Sequence, residues 1–96
     1  MKLKFNGEVS LPDVMEDHRF EIYDCSLVEI QKAYKDSSVE NIKILTICIN
    51  GFEHDLNLNR SNLINYLNTA IKQYESVEKY EKCQECLDII NYLKKQ

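Results

Sequence analysis

The stretch Ile42–Leu58, IKILTICINGFEHDLNL, limits what this chain can fold into more than any other. Asn50-Gly51 is a strong short-range hairpin signal, because a two-residue type I′ corner needs positive φ at both central positions. A turn there sets Ile49 against Phe52, Ile47 against His54, Leu45 against Leu56 and Lys43 against Leu58. Apart from Lys43 and His54, that face is apolar. The other face pairs Cys48 with Glu53, Thr46 with Asp55 and Ile44 with Asn57. One dry face and one wet face suit an antiparallel ladder covered by helices on one side.

Helical spacing supplies the cover. In SNLINYLNTAIKQYESV, the residues Leu63, Ile64, Leu67, Ala70, Ile71 and Tyr74 fall on one stripe. Asn59 or Ser61 can cap its start. A second helix is expected from about Lys79 to Lys94, with Cys83, Cys86, Leu87, Ile90 and Leu93 as its apolar stripe. The junction near Ser76–Glu78 has neither Gly nor Pro.

The first third is less sharply patterned. Leu3, Phe5, Val9 and Leu11 alternate with polar residues, which predicts one long strand or two short ones over 2–11, with Gly7 as a bulge or bend. Leu11–Asp17, LPDVMED, is expected to be a loop. Phe20 and Ile22 alternate with Arg19, Glu21 and Tyr23, which predicts a strand over 18–24. Ser26-Leu-Val-Glu29 has capping-box spacing, and Leu27, Ile30, Ala33 and Tyr34 then follow at helical spacing toward Lys35-Asp-Ser-Ser38. The expected order is β-β-α-β-β-α-α. It describes one α+β domain over 1–96, a two-layer, mainly antiparallel sheet with helices on one face and a C-terminal helical hairpin.

The 96 residues are enough for a single modest core. No segment approaches the ~18 consecutive apolar residues of a membrane span, and the N-terminus has no signal-peptide core. A cytoplasmic location is therefore expected, where the four cysteines would be thiols. The net charge of −4 argues against broad nucleic-acid binding.

Cys83 and Cys86 form a Cys-x-x-Cys pair. At ~100° per residue they lie about 60° apart on the apolar stripe, where thiols behave as small hydrophobes. A structural zinc site wants four ligands, and no second such pair exists; Cys25, Cys48, His18 and His54 lie in separate elements. Neither metal nor cofactor is expected. His54 is expected on the inner hairpin face, with Glu53 and Asp55 pointing the opposite way. No Gly-rich phosphate loop or nucleophile elbow occurs. The expectation is a protein without catalytic activity.

What remains is surface. Glu78, Glu81, Glu85 and Asp88 recur at three- and four-residue steps away from the cysteine stripe, with Tyr92 in the same sector. A solvated helix face is the plainer account of such a run. A docking surface is the other, since Tyr offers contact area at low entropy cost. Asp13, Glu16 and Asp17 make a second acidic set.

Tyr80, Glu81, Lys82, Glu85, Asp88, Ile90 and Leu93 match a known pattern. Residues 78–93 resemble the second half of the UVR motif of UvrB and UvrC, with Cys83 where that motif has a small Ala and Leu87 where it has Arg. The resemblance implies a helical hairpin that binds a partner protein.

The combined expectation is a small acidic inhibitor or adaptor of the immunity, antitoxin or phage anti-defence type. It would block a basic surface on a target protein, with charge steering association. Two alternatives are a nucleic-acid-binding regulator using Lys2, Lys4, Arg19, Lys32, Lys35 and Lys43, and a Cys-based metal-binding protein. An uncovered sheet edge could also pair two copies of the chain.

Overall fold

The computed structural model describes residues 1–95. Its elements are β1 (Lys2–Phe5), α1 (Leu11–Asp17), α2 (Arg19–Ala33), β2 (Asn41–Ile49), β3 (Phe52–Asn59), a 3-10 turn (Arg60–Asn62), α3 (Leu63–Ser76) and α4 (Tyr80–Lys94). The class is α+β. The sheet has three strands in the order β1-β2-β3. It is mixed: β1 runs parallel to β2, and β3 antiparallel.

The hairpin forms as the sequence demands. Asn50 and Gly51 have φ of 50° and 85°, the positive values of a type I′ corner. Ile49 pairs with Phe52, Ile47 with His54 and Leu45 with Leu56, in the expected register. The ladder then departs from expectation. Ile44 is an extra residue without a cross-strand partner, so Lys43 pairs with Asn57 and Ile42 with Leu58. The expected pairs Lys43–Leu58 and Ile44–Asn57 do not form. The reason is burial. Without the bulge Lys43 would sit on the dry face; with it, Lys43 turns to the polar face and reaches Asp55 Oδ1 at 3.6 Å, while Ile42, Ile44 and Leu45 are all buried.

The expected strand over 18–24 and the expected loop over 11–17 are both helical. Ser10, not Ser26, begins a capping box. Ser10 Oγ accepts from the Asp13 amide at 3.3 Å and Asp13 Oδ2 accepts from the Ser10 amide at 3.4 Å, with Pro12 in the first turn. Ser26 lies inside α2, buried. It donates to the Ile22 carbonyl at 2.6 Å, which leaves its oxygen to accept from Tyr66 at 2.6 Å. The observed order is thus β-α-α-β-β-α-α. The helical crossover between β1 and β2 is what a parallel pair requires.

Two polar clamps close the sheet. Asn50 Oδ1 accepts from the Gly7 amide at 2.9 Å, and Asn50 Nδ2 donates to the Gly7 carbonyl at 2.8 Å. Gly7, at φ 102°, is the bend after β1 rather than a hairpin corner. Arg60 donates to four carbonyls: Val39 at 2.8 Å, Tyr34 at 3.1 Å, Ala33 at 3.2 Å and Asp36 at 2.6 Å. Two of these carbonyls, of Ala33 and Tyr34, belong to the end of α2, where a helix leaves acceptors unspent and favours a cation.

The core joins the inner sheet face (Leu45, Ile47) to α2 (Leu27, Ile30), α3 (Leu63, Leu67, Tyr74) and α4 (Cys86, Ile89, Ile90). Each fully buried aliphatic side chain there contributes about 1.5–3 kcal/mol. Tyr74 is completely buried and sits in an aromatic group with Phe20 and Tyr23, whose ring centroids each lie 6.0 Å from its own.

Candidate functional site

The α3–α4 hairpin carries most of the predicted contact residues. Its corner is a Schellman turn. The Lys79 amide donates to the Tyr74 carbonyl at 2.9 Å and the Glu78 amide to the Glu75 carbonyl at 3.0 Å. Glu78 occupies the left-handed position, at φ 59°, where glycine is usual because a Cβ is strained there. No Gly marks this corner in the sequence.

Beyond the corner, α4 buries Cys86, Ile89 and Ile90. The expected stripe is rotated. Leu87 is exposed at 42%, and Ile89, not expected inside, is exposed at 2%. Tertiary packing on two sides widens the buried face beyond the Cys83–Cys86–Ile90–Leu93 line. This rotation divides the acidic residues. Glu78, Glu81 and Asp88 are exposed. Glu85 leans toward α2, 3.5 Å from Gln31 Nε2, and pairs with Lys82 at 3.6 Å. Tyr92 also faces α2 rather than standing free. Its ring meets Tyr34 edge-on at 5.1 Å, with the Lys35 ammonium 5.7 Å from both ring centroids.

On the other flank of α4 the hairpin exposes apolar side chains. Val77 and Tyr80 are exposed at 44% and 63%, and Tyr80 shares a shallow surface groove with Leu87. Glu81 and Asp88 rise beside them on the same helix. The described residues therefore place exposed carboxylates alongside an exposed aromatic, but that aromatic is Tyr80, not Tyr92. Glu78 and Glu81 have no cation within salt-bridge distance among the described residues.

Asp13, Glu16 and Asp17 lie on α1, not in a loop, and all three are exposed. Asp13 is spent on the helix cap and Glu16 accepts from Arg19 at 3.3 Å. This set lies on a separate element from the hairpin acids.

The cysteine pair packs as apolar residues do. Cys86 is buried, and burial pushes its thiol up to about 11, with Cys83 and Glu85 adding to the effect. Cys83 is half-buried and donates to the Ile71 carbonyl at 3.5 Å; burial, then Glu75, raises its pKa. Neither thiol has the electropositive setting that favours thiolate. Among the described residues no cluster of three or more His, Cys, Asp or Glu could hold a metal. His54 pairs with Ile47 on the inner face, half-buried. His18 meets Glu21 at 2.9 Å and stacks 4.7 Å from Phe5.

The lysines of the first half are dispersed. Lys2 bonds Glu53 and Lys43 approaches Asp55 on the outer sheet face. Lys32 pairs with Glu29 on α2, and Lys35 lies over the Tyr34–Tyr92 rings. No single basic face results, because carboxylates alternate with the cations.

No family model, curated protein or solved structure matches this chain. The likeness of residues 78–93 to the UVR motif rests on those residues alone. No helix among the described residues is long and apolar enough to cross a membrane.

Proposed function

We propose that this chain is a small acidic, non-catalytic protein-binding protein of the cytosol. In this reading it is an inhibitor or adaptor of the immunity, antitoxin or phage anti-defence type that covers a basic surface of its target. The contact surface is the outer side of the α3–α4 hairpin. Glu78, Glu81 and Asp88 supply charge, and Val77, Tyr80 and Leu87 supply apolar area.

One observation carries the reading: Glu78 and Glu81 stand exposed beside an exposed Tyr80, with no cation within salt-bridge distance among the described residues. Charges that lack intramolecular partners attract a basic patch over distance and lose little on docking, while a central aromatic gives the affinity. The strained φ of Glu78 adds support, because a non-glycine residue in that conformation is kept at a cost of about 1–3 kcal/mol. Glu85 and Tyr92 are secondary in this reading, being engaged with α2.

The test is capture of partners from the source cell by the tagged chain, identified by mass spectrometry, beside a Glu81→Lys, Asp88→Lys variant. A basic protein captured by the wild type, lost by the variant and released by added salt is the expected result. Recovery of nucleic acid alone, or capture that the charge reversal leaves unchanged, overturns the reading.

A further inference from the structure

A cavity of about 240 Å³ opens between the start of α2, the inner side of β3 and α3. Met15, Ile22, Tyr23, Leu56, Leu58 and Tyr66 form its apolar wall, and Arg19 is the one charged residue that lines it. This region lies apart from the acidic outer side of α4. The bulge at Ile44 contributes to the cavity, since the extra residue also lines it.

Arg19 is unusual in its bonding. Its Nη1 makes two long contacts with Glu16, at 3.3 Å to the carboxylate and 3.5 Å to the carbonyl. Its Nε is buried and has no hydrogen-bond partner among the described residues. A buried donor left unpaired is rare in a native structure and points to a missing acceptor. The Nε–Nη2 edge is the one with which an arginine grips a carboxylate through two parallel bonds. Its side chain is 41% exposed, lines the cavity and lies with Cζ 5.2 Å from the Phe20 ring centroid.

We propose that this cavity binds a small monocarboxylate with an apolar body, its carboxylate on the Nε–Nη2 edge of Arg19 and its chain among Ile22, Tyr23, Leu56 and Tyr66. The size follows from volume. A dry cavity of about 150 Å³ accepts benzene, so about 240 Å³ accommodates roughly ten non-hydrogen atoms on the same scale. That matches a saturated chain of octanoate length. The proposal does not depend on the protein-binding reading, because the two sites share no residue.

The test is titration of the isotopically labelled full chain with octanoate, followed by amide NMR, with 1-octanol as the uncharged control. Octanoate is expected to give saturable shifts around Met15, Tyr23, Leu56 and Tyr66. Octanol, which lacks the charge-assisted bonds, is expected to bind about tenfold more weakly. Arg19→Gln is expected to bring octanoate down to the level of octanol while leaving the spectrum otherwise folded. Leu56→Trp, which fills the cavity, is expected to remove both. The proposal is overturned by the absence of saturable shifts, by equal affinity for acid and alcohol, by unchanged octanoate binding in Arg19→Gln, or by binding that survives in Leu56→Trp.

Discussion

The hydroxyl of Tyr74 donates to Asp24 Oδ1 at 2.6 Å, which ties α3 to α2 inside the aromatic group of Phe20, Tyr23 and Tyr66. The ring of Tyr74 is fully buried, while Asp24 is half-buried. Tyr74→Phe keeps the packing and removes only the hydroxyl. It is expected to lower stability by about 1.5–3 kcal/mol, the range for a hydrogen bond to a charged partner. Urea unfolding with an unchanged m-value checks this.

Alkaline pH should act on the same group of residues. Burial pushes the Tyr66 hydroxyl up to about 12, and burial followed by the hydrogen bond and charge of Asp24 raises Tyr74. The protonated form is favoured in the folded chain, while the unfolded chain releases these protons near pH 10. Stability from the two tyrosines is therefore complete below about pH 10 and falls as pH rises above it, the Tyr66 share being lost as pH passes about 12. The slope is about 1.4 kcal/mol per pH unit for each tyrosine in that window. Ultraviolet titration should show two of the six tyrosines ionising only as the circular dichroism collapses. Tyr66→Phe should reduce the slope by one proton's worth.

Arg60 is the most heavily bonded side chain of the fold, with four carbonyl acceptors at the end of α2 and the turn after it. Arg60→Ala leaves those acceptors unspent and is expected to cost about 3 kcal/mol. Arg60→Lys should recover only part of this, because an ammonium cannot span acceptors arranged for a planar fork. Hydrogen exchange should rise first at the C-terminal turn of α2, before global unfolding.

Glu78 offers a prediction of the opposite sign. Glycine takes its left-handed φ of 59° without a Cβ penalty. Glu78→Gly is expected to raise stability by about 1 kcal/mol, which corresponds to about 4–8 °C in melting temperature for a chain of this size. The same substitution removes a proposed contact, so stability should rise while partner capture falls.

The hairpin was legible because two independent signals, the Asn-Gly corner and the two-faced alternation, agreed. Lys43 and His54 were the discordant residues on the dry face, and Lys43 marked the place where the bulge occurs. The α3 stripe was legible for a similar reason: Leu63, Leu67, Ala70 and Tyr74 keep one period over the whole helix. The segment 18–24 misled because Phe20 and Ile22 alternate, while Phe20, Tyr23, Leu27 and Ile30 also keep helical spacing. Length should have decided in favour of the longer helical run. Ser10-Leu-Pro-Asp13 carried a capping signal that the attractive Ser26–Glu29 spacing eclipsed. The division of the acidic stripe could not be seen from one helix alone, because α2 recruits Glu85 and Tyr92 only through tertiary packing. The Arg19 cavity had no sequence signature, since its walls come from separate elements.

Asn50 forms the corner of the hairpin and also holds both backbone groups of Gly7. Forming that corner and docking the first strand are consequently a single event. Loosening the corner therefore frees the first strand with it.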